Sequence, residues 1–240
     1  MKPTISVIIP AYNEEKYLLG ALYSVKNQTY DHKLMELIVV NNASTDRTGE
    51  VFKDFVNTNE THLRLILAEE KILGVSRAKN KGASLATGDV LLFLDADSEM
   101  SPNLAAVVAD YYARGFKLGI IRLEPQSTEW LPRYFFKLIE FGKRVFRIAA
   151  QMGYCDRKLF FEEGGFNSNL RLSEDLELFS RLKKRLLREK QDFTYVSQAW
   201  IRTSTRRMDY FPWKSGYLII FLQWLLSFLG LGRNHYRAYR

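Results

Sequence analysis

Between residues 4 and 112 the chain repeats one pattern four times: a short run of apolar, often β-branched residues, then a segment whose apolar residues recur at helical spacing. The runs are "TISVIIPAYNEE", "LMELIVV", Leu63 to Leu67 and Val90 to Leu94. The intervening segments bring Tyr17, Leu18, Ala21, Leu22 and Val25, then Val51, Phe52, Phe55 and Val56, then a helix from about Ser76 to Ala86, onto single faces. Ser101-Pro102 reads as the cap and opening of a fourth helix carrying Leu104, Val107, Val108, Tyr111 and Tyr112. Strand and helix alternating in this way predict parallel strands joined by right-handed crossovers, hence a layered α/β domain.

Ligands in such sheets bind beyond the carboxyl ends of the strands. Those ends are polar here: Ala11-Tyr12-Asn13-Glu14 after Pro10, Asn41-Asn42-Ala43-Ser44, and Asp95-Ala96-Asp97. The last sits in "LLFLDADSEM", where a buried strand delivers two carboxylates to one spot. Like charges held together are unfavourable without a cation between them, and a divalent ion on oxygen ligands is one solution. With 11 Asp in the chain, an Asp-x-Asp also arises by chance, so the tripeptide alone decides little. No G-x-G-x-x-G follows the first strand, which disfavours a nicotinamide or flavin enzyme.

Beyond Arg122 the alternation breaks down. Residues 130 to 150, "WLPRYFFKLIEFGKRVFRIAA", read as a helix with one greasy and one basic face, packed on the core or turned toward a membrane or acceptor. Gly164-Gly165 marks a tight turn, and Ser173 ahead of Glu174, Asp175 and Glu177 reads as a helix N-cap with acids in the first turn. Tyr217 to Leu231, "YLIIFLQWLLSFLGL", is shorter than the ~20 apolar residues that span a bilayer, so it is expected to complete the core or to lie in a membrane interface.

Hydrophobic residues at 47% and charged residues at 26% are ordinary for a folded chain. The charge is unevenly placed. Residues 181 to 240 hold thirteen Lys or Arg against three Asp or Glu, more than the whole net charge of +8. That points to an anionic partner near the C-terminus, a membrane surface, a phosphorylated substrate or nucleic acid, the last disfavoured because no nucleic-acid recognition motif accompanies the basic residues. Cys155 is the only cysteine, His32, His62 and His235 are scattered without zinc-ligand spacing, and Met1-Lys2-Pro3 opens a segment too short and too soon acidic for a signal peptide. A cytoplasmic protein, peripheral on the cytoplasmic face of a membrane, is the expectation.

"SVIIPAYNEEKYL", "VVNNASTD", "GVSRAKNKGASLATGDVLLFLDADS" and "GGFNSNLRLSEDLELFSRL" occur in order over residues 4 to 185, and together they resemble the family 2 glycosyltransferases. The resemblance implies a GT-A fold, a mostly parallel central sheet flanked by helices, over residues 1–208. Residues 209–240 would then form a hydrophobic and basic helical extension associated with a membrane. It implies a nucleotide-diphosphate sugar as donor, received by Pro10, Ala11, Tyr12 and Glu14, with the tyrosine packing on the base. Asn42 falls where an aspartate often accepts a hydrogen from uracil, and the family's acids followed by Gly-Ser are replaced by Asn41-Asn42-Ala43-Ser44, which leaves the base open. Arg77 and Asn80 match a segment beside the nucleotide. Asp95, Ala96 and Asp97 match the DxD motif, with Asp97 and Asp95 the metal ligands for Mn2+ or Mg2+. Asp175 matches the catalytic base, and Arg206 and Arg207 match basic residues near the diphosphate or an acceptor phosphate.

The implied reaction is an inverting transfer to a hydroxyl or phosphate acceptor, lipid-linked, polyprenyl phosphate or glycan. Acceptor choice would reside in residues 123 to 155. Two alternatives remain open at this point: a non-catalytic chain of the same fold that binds a membrane or partner, favoured by Asn41-Asn42, and a sugar nucleotidylyltransferase, which would need a Gly-rich, Arg-containing loop where "PAYNEE" stands.

Overall fold

In a computed structural model, which describes residues 2–170, 173–209 and, further on, 216, 217, 219 and 222, the apolar runs become the centre of one sheet. Strands β1 (Ile5–Ala11), β2 (Met35–Asn42), β3 (Arg64–Glu70) and β4 (Val90–Phe93) are parallel neighbours. Successive side chains of a strand point to opposite faces, and both faces of β1, β2 and β4 are buried. Ile5, Val7, Ile9, Leu37, Val39, Val90 and Leu92 enter one apolar cluster, while Ile8, Ile38, Val40, Leu91 and Phe93 enter the other. Continuous apolar sequence is what burial on both faces demands.

Helices α1 (Leu18–Lys26), α2 (Thr48–Thr58) and α4 (Leu104–Ala113) cover the first face through Leu22, Phe52, Phe55 and Leu104. The second face is covered by α3 (Val75–Leu85), α6 (Arg157–Glu162) and α7 (Glu174–Arg188) through Ala78, Phe160, Leu178 and Phe179. Helix α3 lies close on the strands because Gly82 has no side chain: a Cβ there would stand 2.4 Å from Ile8 Cγ2. The first four predicted helices are present, with boundaries moved by one to three residues, and the helix expected over residues 130 to 150 ends at Val145. The cap expectations fare less well. Helix α4 starts at Leu104 without a side-chain cap, and Ser101 Oγ instead accepts from Trp200 N at 3.1 Å. Ser173 stands at the N-cap of α7 but in the left-handed region, φ 59°, and its hydroxyl caps nothing.

Four further strands complete an eight-stranded sheet of order β3-β2-β1-β4-β7-β6-β8-β5: β5 (Ser98–Met100), β6 (Leu118–Pro125), β7 (Gly153–Asp156) and β8 (Thr194–Thr203). β7 is antiparallel to both β4 and β6, and β8 is parallel to β6, so β6 and β8 point the same way as the first four strands. Helix α5 (Trp130–Val145) lies in the connection from β6 to β7, which leaves and re-enters the sheet at the edge where β1, β2 and β4 end. A short helix, α8 (Arg206–Asp209), follows β8 at that edge. The extension proposed for residues 209–240 falls almost wholly outside the described residues. Tyr217 is an exception: it is buried, with its ring 5.2 Å from that of Phe135.

Candidate active site

The strand-end loops predicted from sequence do share one edge, and short side chains stitch them together. After Ala11 the chain turns at Asn13, φ 53°, whose Oδ1 accepts from Thr45 N at 2.8 Å while Ser44 Oγ accepts from Asn13 N at 3.1 Å. Glu14 N donates to Thr48 Oγ1 at 2.8 Å. This fixes the half-buried Tyr12 and Glu14 beside the second loop, with Pro10 and the buried Ala11 beneath them.

Asn42 is buried, and its amide is committed. Nδ2 donates to the carbonyls of Glu70 (3.0 Å) and Ile72 (2.9 Å), and Oδ1 accepts from Gly74 N at 2.8 Å. It therefore shapes residues 70–74, the loop that leads into α3, and one acceptor lone pair remains. Arg77, on the first turn of α3, is exposed and makes no ion pair among the described residues. Asn80 binds the backbone of the Gly-Gly-Phe turn from both sides: Nδ2 donates to Phe166 O (2.8 Å) and Oδ1 accepts from Phe166 N (2.9 Å). Gly164 and Gly165 adopt φ 79° and 67°, as a tight turn requires, and a Cβ on Gly165 would meet Asn80 Oδ1 at 2.8 Å.

The two acids after β4 face different cations. Asp97 Oδ2 lies 3.2 Å from Arg206 Nη2, and the same guanidinium nitrogen pairs with Glu14 Oε1 while its carbon sits 4.3 Å over the Tyr17 ring. Tyr17, read from sequence as part of the α1 core face, is thus a platform for Arg206. Asp95 instead contributes to the field around Lys79. The buried Ala96 leaves room for the turn between them. The side chain of Arg207 lies outside the described residues.

Lys79 is the group that sequence reasoning missed. It is 2% exposed, and its Nζ lies 2.7 Å from Asp175 Oδ1 and 3.0 Å from Glu174 Oε1. Burial alone would depress its ammonium, but Asp175, Glu174 and Asp95 outweigh burial and hold it above its usual range. Burial pushes Asp175 upward; Lys79 opposes this, while Glu174 and Asp95 reinforce it, and the balance is a carboxyl that holds its proton more tightly than an ordinary aspartate. Burial is the main cause, and the excess of negative charge from three carboxylates around one ammonium adds to it. The available signal was a lysine on the helix face otherwise made of Ala78, Gly82 and Ala83.

The donor set suits a hard divalent cation. Glu14 and Asp97 converge on one positive group, and Glu14 Oε2 is buried with no hydrogen-bond partner among the described residues. No cluster of three or more His, Cys, Asp or Glu suited to a metal exists among the described residues.

Known proteins resemble this chain in sequence and in fold. The model of glycosyl transferase family 2 matches residues 6–171. Among curated relatives, Glycosyltransferase GlyA of Streptococcus pneumoniae serotype 4 is 41% identical over 93 residues, 39% of this chain and 13% of the relative. Probable glycosyltransferase YdaM of Bacillus subtilis is 28% identical over 97% of this chain and 59% of the relative. The mannosyltransferase PcManGT of Pyrobaculum calidifontis, solved with GDP-Man and Mn2+, superposes with a TM-score of 0.72 at 21% identity over 97% of this chain and 66% of that one. S. aureus TarS 1-349, solved with UDP, gives 0.68 at 22% identity over 86% and 62%. An α/β chain with a mixed sheet, polar strand ends on one edge and this family match belongs to glycosyltransferase family 2, and its fold is GT-A. It spans less than two thirds of the length of these relatives.

Proposed function

We propose that the chain is an inverting glycosyltransferase that moves a sugar from a nucleotide-diphosphate donor to a hydroxyl or phosphate acceptor borne by a membrane lipid, with residues 1–208 as the transferase domain and 209–240 as a membrane-associated extension. The observation that carries this reading is the gathering of Asp95 from the end of β4 and Glu174 and Asp175 from the start of α7 around one buried ammonium, Lys79, at the carboxyl edge of the parallel strands.

In this reading the Tyr12 and Glu14 loop and Arg77 receive the nucleotide, and Asn42 holds the 70–74 loop against it. One oxygen of Asp175 is fixed by Lys79, which leaves the other for the acceptor hydroxyl. Asp175 takes the proton as the acceptor oxygen attacks the anomeric carbon. The bond to the diphosphate oxygen breaks on the opposite face with its electron pair, so the configuration inverts in one displacement. A base whose proton affinity is raised toward neutrality is matched to that task. When bound, a divalent ion on Asp97, with Asp95 and Glu14 beside it, supplies Lewis-acid neutralisation of the diphosphate. Arg206 places further positive charge at the same edge, in a planar form suited to phosphate oxygens, and Arg207 follows it in sequence.

The test is thermal stability with UDP, GDP, dTDP and CDP, each with and without Mn2+, for the chain and for Asp97→Asn. A ligand that binds only the folded state raises its stability by mass action. A shift with one nucleotide that needs both metal and Asp97 supports the donor site and names its base. No shift with any of them at millimolar concentration would overturn the transferase reading.

A further inference from the structure

Helix α5 carries a stripe of apolar side chains that points away from the molecule. Trp130 is 76% exposed, Phe141 66% and Tyr134 63%, and Leu138 and Val145 are exposed with them. At about 100° per residue these five positions fall within an arc of about 80°. The buried positions Pro132, Phe136, Ile139 and Lys143 lie on the opposite side. The stripe is therefore the solvent face of a helix whose inner face already packs on the sheet. Scattered exposed apolar residues need no explanation, but a contiguous aromatic row does.

The flanks of the stripe identify what it meets. Arg133, Lys137 and Arg144 share one flank, within an arc of about 40°, and are exposed; none forms an ion pair among the described residues. An aromatic row beside a basic row is the pattern of a helix lying in a lipid interface, where rings sit among headgroups and cations meet anionic lipid. The other flank carries Phe135, against which Tyr217 is buried, so the apolar segment 217–231 starts from the edge of the stripe. Along the basic flank runs a cleft of about 1090 Å3 of mixed charge, lined by Arg133, Lys137 and Arg144 and also by four glutamates, of which Glu124 pairs with Arg122 and Arg202. Helix α5 also leaves the sheet at the edge that holds the candidate site.

We infer that the Trp130–Val145 face of α5 seats the protein on an anionic lipid surface, with the basic flank at headgroup level. The inference deepens the membrane-borne acceptor of the proposed function and rests on it. Seated in this way, the strand-end loops face the same layer as the lipid headgroups.

The experiment is co-sedimentation of the full chain with phosphatidylcholine vesicles, with and without about 30% phosphatidylglycerol, for three forms: unchanged, Trp130→Glu/Phe141→Glu, and Arg133→Gln/Lys137→Gln/Arg144→Gln. The unchanged chain should bind the anionic vesicles. The stripe variant should lose about ten-fold or more in partitioning while its thermal midpoint stays the same. The basic-flank variant should lose on the order of 100-fold at low salt and become nearly insensitive to salt. Vesicle binding unaffected by the stripe variant, or absent from the unchanged chain, overturns the inference. A fall in thermal midpoint in the stripe variant does so too, because it means that segment 217–231 covers the stripe, as does a dimer in sedimentation velocity that the variant dissolves. Nucleotide-induced thermal shifts, read on the same samples without vesicles, separate failure of this surface from failure of the transferase reading.

Discussion

The ammonium of Lys79 lies 2.7 Å from the Asp175 carboxylate, across 96 positions of sequence, and both groups are taken out of water by the contact. It ties α3, which follows the donor-side loops, to the first turn of α7. Removing one partner of a buried pair strands the other, so Lys79→Met is expected to cost about 3–5 kcal/mol in a urea titration. Lys79→Met/Glu174→Gln should recover part of that loss, since one of the stranded charges is gone. If the single variant is as stable as the parent, the pair is not a structural tie.

Arg206 satisfies Glu14 and Asp97 together, so Arg206→Ala leaves two carboxylates facing each other. The variant should melt lower than the parent without divalent ions and regain its midpoint in millimolar Mn2+. Arg206→Ala/Asp97→Asn should show no such rescue. Differential scanning fluorimetry with a manganese titration reads both outcomes.

Ala43 stands at φ 57°, in the left-handed region that costs a residue with a Cβ about 1–2 kcal/mol. Ala43→Gly relieves that strain, less the added freedom of glycine in the unfolded chain, and should stabilise by about 1 kcal/mol. For a chain of this size that is a rise of roughly 2–4 °C in Tm.

Glu36 gives the chain an acid-sensitive point far from the site. Burial alone would raise its carboxyl, but hydrogen bonds from Ser6, from the backbone and hydroxyl of Thr87 and from Gly88 N outweigh burial and hold it below its ordinary value, and Arg64 pairs with the second oxygen at 3.0 Å. A folded-state value below the unfolded one means stability that is full above the ordinary glutamate value of 4.5 and is lost as pH falls through the lowered folded value. Glu36→Gln should be less stable near neutrality and show a shallower decline in urea midpoint over that acid window.

The half of the fold that was legible in sequence is the half in which burial is two-sided. Strands β1, β2 and β4 announce themselves as unbroken apolar runs because helices cover both faces, whereas β8, "TYVSQAWIRT", is half exposed and pairs across a bulge between Ile121 and Arg122. β7 is four residues long, too short to carry a period. In the site, Asp95, Asp97 and Asp175 could be picked out because their motifs occur in order. Lys79 could not, since one lysine in a helix reads as solvated until the partner helix is placed. Asn42 was visible as a polar strand end, but the commitment of its amide to Glu70, Ile72 and Gly74 required the path of the loop.

The reversal at β7 has a consequence for how such a chain can diversify. Because β7 restores β6 and β8 to the direction of β1, the β6–β7 connection and the chain beyond β8 both emerge at the edge where β1, β2 and β4 end. On the proposed function, insertions at either place would remodel what the sugar is delivered to while the first four strands, which would carry the donor loops, keep their packing. The architecture behaves as a fixed handle with an exchangeable working end, and a transplant of residues 126–152 between two such chains is the exchange it invites.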